Sequence, residues 1–194
     1  LTAAVAMSRV LRRELGPEPC VGVVMPASVA GAILNVALTL LGRVPVNLNF
    51  TVSADSLASA IRQAGIRKVI ASRAFIEKLA DFHVPADVLY IEDIGAKIGR
   101  IDQLVGFLKG FFAPPGVFAR ACAAGPDDTA TIIFSSGSTA EPKGVLLTHH
   151  NILSNIESFS ALLHFNTEDR LCAALPFFHS FGFTVTLWLP ACLG

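Results

Sequence analysis

Residues 19–42 and 171–194 contain no Asp, Glu, Lys or Arg. Each stretch is as long as the roughly 20 residues needed to cross a bilayer, so the chain forces a choice between membrane span and buried segment. Punctuation decides it. Pro26 and Asn35 interrupt the first stretch, and Pro176, His179, Ser180, Gly182 and Pro190 the second. The first therefore divides into a strand over 21–25, a Pro-Ala-Ser turn and a helix over 27–41. The second divides into a strand over 171–175, a loop and a helix after Phe181. Strands covered on both faces read as unbroken apolar runs, so a buried α/β arrangement is expected.

The rest of the chain alternates in the same way. A helical pattern over 1–15 ends at Gly16-Pro17, and a short strand follows at 44–46. Ser53 caps a helix to about residue 64, which Gly65 ends. A strand over 68–71, a helix over 73–80, a strand over 88–91 and a helical region over 94–112 lead to a Pro/Gly linker at 113–125. Beyond it lie a strand over 130–134, a Ser/Thr/Gly loop, a strand over 145–148 and a helix over 151–164. Short strands separated by helix-length patterns give βαβ units with right-handed crossovers. The expected fold is α/β, with a mostly parallel sheet between helix layers, divided by the linker into a βα half (1–112) and a second half (126–194).

Composition excludes several functions. Of 194 residues, 53% are apolar and 15% charged, against roughly 25% charged in an ordinary soluble domain. A disordered chain is excluded. Fifteen basic residues balance fifteen acidic ones, which leaves no bulk charge to draw in nucleic acid. The basic side chains of the first 80 residues, among them Arg9, Arg12, Arg13 and Arg43, are scattered and read as a solvated rim with no partner. Cys20, Cys122, Cys172 and Cys192 form no C-x-x-C and stand at no ligand spacing with His, so no metal ligands are assigned. Small buried thiols suit a reducing, cytoplasmic compartment. The first fifteen residues, amphipathic with three Arg, lack a signal-peptide pattern.

The chemistry is concentrated in one segment, Thr131-Ile132-Ile133-Phe134-Ser135-Ser136-Gly137-Ser138-Thr139-Ala140-Glu141-Pro142-Lys143-Gly144. An apolar strand runs straight into hydroxyls around a glycine, then an acid, a proline, a lysine and another glycine. Gly137 and Gly144 allow backbone conformations in which consecutive amides point at one anion. Ser135, Ser136, Ser138 and Thr139 offer compact donors, and Lys143 supplies a point cation. A polyphosphate fits such a loop; composition alone leaves a plain Ser/Gly hairpin as the alternative. A Walker A loop is excluded, because Lys143 precedes its Gly and an apolar strand follows instead of a helix.

Ser135–Gly144 resembles the phosphate loop of adenylate-forming enzymes, the superfamily of acyl-CoA synthetases, luciferases and peptide-synthetase adenylation domains. Ala140 stands where that pattern has Gly. Val145-Leu146-Leu147-Thr148-His149-His150-Asn151 is similar to the strand, Ser/Thr-His and helix-opening Asn that follow the loop. Leu175-Pro176-Phe177-Phe178-His179-Ser180-Phe181-Gly182 is similar to the family's Pro-x-x-His segment, and its wording looks most like acyl–acyl-carrier-protein synthetases, including the synthetase part of bifunctional 2-acylglycerophosphoethanolamine acyltransferases.

The resemblance implies a partial N-terminal domain whose ribose-binding Asp, hinge and distal Lys lie downstream. It implies ATP and Mg²⁺ as cofactors, a fatty acid as substrate, and acyl carrier protein or coenzyme A as the accepting thiol. Ser135, Ser136, Gly137, Ser138, Thr139, Lys143 and Gly144 would hold the phosphates. His179 would serve the catalytic centre at the carboxylate end of an acyl pocket lined by Phe178 and Phe181. The fragment alone is expected to bind ATP weakly without turnover, in a parent at the inner face of a membrane. Two other readings stay open. His164 and Asp169 match the His-x-x-x-x-Asp of glycerolipid acyltransferases, and the fragment could be a non-catalytic nucleotide-binding half-domain. His149 and His150 are expected to orient a turn. A parallel sheet with an open edge is expected to self-associate.

Overall fold

The computed structural model describes residues 1–79, 82–135, 141–165 and 168–193. Its first helix, α1 (Thr2–Glu14), leads to strand β1 (Cys20–Val24), α2 (Val29–Leu40) and β2 (Val44–Asn47). Then come α3 (Ala54–Gln63), β3 (Lys68–Ala71), the short α4 (Arg73–Ile76), β4 (Asp87–Tyr90), α5 (Ile91–Ala96), α6 (Arg100–Phe112) and α7 (Pro115–Cys122). β5 (Thr129–Phe134), β6 (Gly144–Thr148) and α8 (His149–Leu163) follow; a π-helical turn, Gly182–Trp188, runs into α9 (Leu189–Leu193).

β1–β4 form a parallel sheet in the order β2-β1-β3-β4, and β5 and β6 form an antiparallel hairpin. Alternation along the strands explains the uncharged runs. Val21 and Val23 of β1 and Ile70 of β3 face α1 and α2, where they meet Met7, Leu11, Leu34 and Leu38. Val24, Val46, Val69 and Ala71 face the other way onto Leu57, Ala60 and Ile61 of α3. Successive residues serve opposite cores, and a side chain such as Leu38, fully shielded, contributes about 1.5–3 kcal/mol. None of the described helices is long and apolar enough to cross a membrane.

Helix boundaries follow their caps. Ser28 accepts from the Gly31 amide and Ser53 from the Ser56 amide, and Gly65 leaves α3 at φ +61°. Arg43 holds the carbonyls of Gly16, Pro17 and Glu18 at 2.7–2.9 Å, fixing the turn before β1. A buried amide pair joins α2 to β2: Asn47 Nδ2 donates to Asn35 Oδ1 at 2.8 Å, and Asn35 Nδ2 donates to Gly31 O at 2.8 Å and to Asn47 Oδ1 at 3.2 Å. The hairpin meets β2 through the Thr131 hydroxyl, which donates to Pro45 O at 2.7 Å, while Ile132 and Phe134 pack on the second core.

Several expected boundaries shift. The helix at 73–80 is one turn, Arg73–Ile76, and the region 94–112 is two helices parted at Gly99. The linker stretch 113–125 carries α7, opened by Pro115 at its first position, where a missing N–H costs nothing. Residues 171–175 are exposed and unpaired, not a strand. They join neither described sheet, so apolarity alone did not make them strand.

Candidate functional site

The Ser/Thr/Gly loop is the connection of the β5–β6 hairpin. Phe134 pairs with Gly144, and the Ser135 amide donates to the Lys143 carbonyl at 3.0 Å. This last rung closes the loop and sets an alcohol and a cation opposite each other at its two feet. Ser135, Glu141 and Lys143 are exposed. Ser136, Gly137, Ser138 and Thr139, expected in the cradle, lie outside the described residues.

Gly144 owes its fit to packing, not to backbone conformation. Its φ is not left-handed; the only described glycines with positive φ are Gly42 and Gly65. A Cβ on Gly144 would stand 3.0 Å from Phe134 Cε1 and 3.1 Å from Ile132 Cγ2. A side chain there would press on the Phe134 ring, against which β6 lies. A second support was not visible in the sequence at all: Gln63, at the end of α3, donates from Nε2 to the Pro142 carbonyl at 2.9 Å, and to Ser59 Oγ at 3.1 Å.

His149 and His150 lie at the other end of β6 from the loop and take no part in it. Thr148 caps α8 by accepting from the Asn151 amide at 3.1 Å, and Asn151 Oδ1 accepts from the Thr148 amide at 3.0 Å. The His149 and His150 amides donate to the carbonyls of Asp128 and Pro126 at 3.2 and 2.8 Å. Burial holds the His149 imidazole below its ordinary pKa, partly offset by Asp128. His164 closes α8 as an exposed left-handed cap at φ 49°; Asp169, five residues on, is exposed beyond it.

The Pro-Phe-Phe-His segment sits over the carboxyl ends of the parallel strands, where open α/β sheets take their ligands. Phe177 is 3% exposed and packs beside Gly31 at the start of α2. Phe178 is buried, with its ring 5.0 Å from that of Phe50, just past β2, and 4.7 Å from the His179 imidazole. Phe178 is thus a wall between Phe50 and His179. His179 is exposed; its amide donates to Pro176 O at 3.1 Å, and its carbonyl accepts from the Phe183 amide at 2.8 Å. Phe181 is 49% exposed, edge-on to Phe159 at 5.7 Å. Gly182 makes this turn possible, because a Cβ would fall 2.2 Å from Pro176 O. The π-helical turn that follows presents Phe183 and Leu187 to the third core, formed with the hairpin and α8.

The two groups of candidates are held by opposite ends of one helix. The loop's stem is tied to Gln63 at the end of α3, and Phe178 leans on Phe50 ahead of its start. Ten residues of helix separate the anchors by about 15 Å. For a divalent ion, the described part of the loop offers one carboxylate, Glu141, and no three metal-ligating side chains group together among the described residues. Magnesium therefore fits as a counter-ion carried by phosphate oxygens, its usual mode with nucleotides.

Comparison with known proteins agrees with this layout. The family model described as AMP-binding enzyme matches residues 1–194. The chain is 32% identical over 184 residues to a 4-chlorobenzoate–CoA ligase of Arthrobacter sp., covering 93% of this chain and 32% of the relative. It is 31% identical over 170 residues to the 4-coumarate–CoA ligase of Pinus taeda, covering 85% and 28%. ATP-bound MatB from Rhodopseudomonas palustris superposes with a TM-score of 0.74 at 25% identity, over 99% of this chain and 37% of that one. The chain thus spans about a third of the length of these two ligases.

Proposed function

The chain belongs to the AMP-binding enzyme family, and from that premise we propose that the β5–β6 loop grips the triphosphate of ATP while a carboxylic acid is activated as its adenylate. One acid oxygen forms a bond to the α-phosphorus as the bond to pyrophosphate breaks. A thiol then takes the acyl group, and AMP leaves with the carboxylate oxygen. The first step brings two anions together, so it depends on charge neutralisation and alignment. Lys143 and Ser135, facing each other across the last rung of the hairpin, supply a charge and a hydroxyl; that rung is the observation that carries the reading. Ser136, Gly137, Ser138, Thr139 and Gly144 complete the cradle in this proposal, with Mg²⁺ spreading the phosphate charge. The superposed MatB is bound to ATP.

His179, exposed at the turn and backed by Phe178, is the group we assign to the acid's carboxylate. The half-exposed Phe181 beside it supports an apolar tail, hence a fatty acid. The names of the two ligase relatives favour coenzyme A as the thiol, with acyl carrier protein as the other candidate, in the cytoplasm. Equilibrium dialysis of the chain against MgATP tests the core of the proposal. Lys143→Ala should weaken binding by about tenfold or more, the scale of losing one charge-assisted contact. Unchanged affinity in a variant with unchanged circular dichroism removes the phosphate assignment.

A further inference from the structure

Helix α6 is packed inside out. The face it turns to α1 consists of Asp102, Gly106 and Gly110. Asp102, 5% exposed, accepts from Arg9 Nε at 2.8 Å and Arg13 Nη2 at 3.0 Å. A Cβ on Gly106 would stand 2.7 Å from the Thr2 carbonyl oxygen, and one on Gly110 2.6 Å from the Thr2 hydroxyl. The glycines set the close approach and the ion pairs set the rotation, so the helix cannot roll its large side chains inward. Those side chains point out. Ile101 and Phe111 are 71% exposed and Phe112 73%, with Leu104, Phe107 and Leu108 about half exposed. The rings of Phe107, Phe111 and Phe112 cluster at 5.0–6.5 Å. A helix of a soluble domain turns its apolar stripe to the core; an outward, contiguous one marks an interaction surface.

Charge identifies the partner. No Asp or Glu occurs from Gln103 to Pro126, whereas Lys109 and Arg120 do. Beside α6, a groove of about 490 Å³ is rimmed by Arg9, Arg12, Arg13 and Lys109 and walled by Val117 and Phe118. Asp102 is already taken by Arg9 and Arg13, and neither Arg12 nor Lys109 has an ion-pair partner among the described residues. A second copy of this face would set cation against cation. An apolar stripe flanked by unpaired cations matches an anionic bilayer surface.

We propose that α6 and its basic groove dock the chain on an anionic membrane. Leu108, Phe111 and Phe112 enter the boundary between headgroups and acyl chains, and Arg12 and Lys109 meet the phosphates. Thirteen residues of helix measure about 20 Å, too short to span, so α6 lies in the plane of the interface. The proposal is independent of the nucleotide site. Co-sedimentation with vesicles of phosphatidylcholine alone, or mixed equally with phosphatidylglycerol, tests it. Binding to the anionic vesicles should exceed binding to the neutral ones by about tenfold or more and fall steeply towards about 0.5 M salt. Replacing Leu108, Phe111 and Phe112 together by Ser should abolish it with circular dichroism unchanged, since all three are exposed. Arg12→Glu with Lys109→Glu should erase the preference for anionic lipid. A Phe112→Trp reporter should shift its emission to the blue on anionic vesicles. Equal binding to neutral vesicles, a triple variant that still binds, or an unshifted reporter overturns the proposal. So does light scattering that shows a dimer which the triple variant makes monomeric, because the occupant is then a second copy.

Discussion

Gln63 reaches across from the end of α3 to hold the Pro142 carbonyl at 2.9 Å, 79 positions away in sequence. It is the tie between the parallel-sheet half and the second foot of the phosphate-loop candidate. The contact is exposed, so Gln63→Ala should cost less than about 1 kcal/mol of global stability, within the usual net value of a hydrogen bond. Its effect should be local: faster amide hydrogen exchange at Lys143 and Gly144, and MgATP binding weaker by a few-fold. Unaltered exchange at both amides would show that the tie does not position the loop.

Gly182→Ala should be among the most damaging conservative changes in the chain. The new methyl meets the Pro176 carbonyl, a backbone atom that cannot swing aside. Overpacking of this kind costs about 1–3 kcal/mol, read as a lower urea midpoint. The exposed His179, one turn earlier, should tolerate Ala with little change in that midpoint.

Asn47→Ala should destabilise by about 1–3 kcal/mol, because it strands part of a buried amide. Asn35 would keep the Gly31 carbonyl as acceptor for its Nδ2 but lose the donor to its Oδ1. Replacing both by Leu should recover part of the loss. A double variant no more stable than Asn47→Ala would count against a purely polar penalty.

Asp102 gives the acid limb of stability a definite sign. The Arg9 hydrogen bond, then that of Arg13, holds its carboxyl below the usual carboxylate range, with burial opposing. A depressed folded pKa stabilises the fold above the unfolded value, about 3.9. That contribution is lost as pH falls through the folded value. Asp102→Asn should lower the thermal midpoint at neutral pH and flatten its fall below about pH 4. An acid limb of unchanged slope would mean that other carboxylates set it.

Much of this architecture was legible because period and punctuation coincided. The strand at 68–71 matches its observed bounds, and Ser53 caps its helix as expected, with Gly65 just past the end. The caps Ser28 and Thr148 fall inside the elements expected there and are not read as caps. Misreadings arose where one signal has two meanings. Pro114-Pro115-Gly116 reads as a breaker, yet a proline can open a helix, as Pro115 does. The run 171–175 has strand composition but pairs in neither described sheet. The loop's place between two strands was legible; that these strands form a separate antiparallel hairpin, and what supports it, was not. An exposed Gln on a helix end carries no periodic signal, and Gly144 is set by contact with Phe134, not by backbone conformation. The inward glycines of α6 were equally silent, because a helical pattern does not reveal which face a neighbour will claim.

The hairpin and the parallel sheet share no ladder among the described residues; one hydroxyl, Thr131 on Pro45 O, supplies the only hydrogen bond between β2 and β5. Everything else at that seam is oily contact, which resists separation but not sliding. The phosphate-loop candidate is therefore moored to the sheet half by two directional links, the Thr131 hydroxyl at the strand and the Gln63 amide at the stem, and sliding the hairpin along that seam requires both to break.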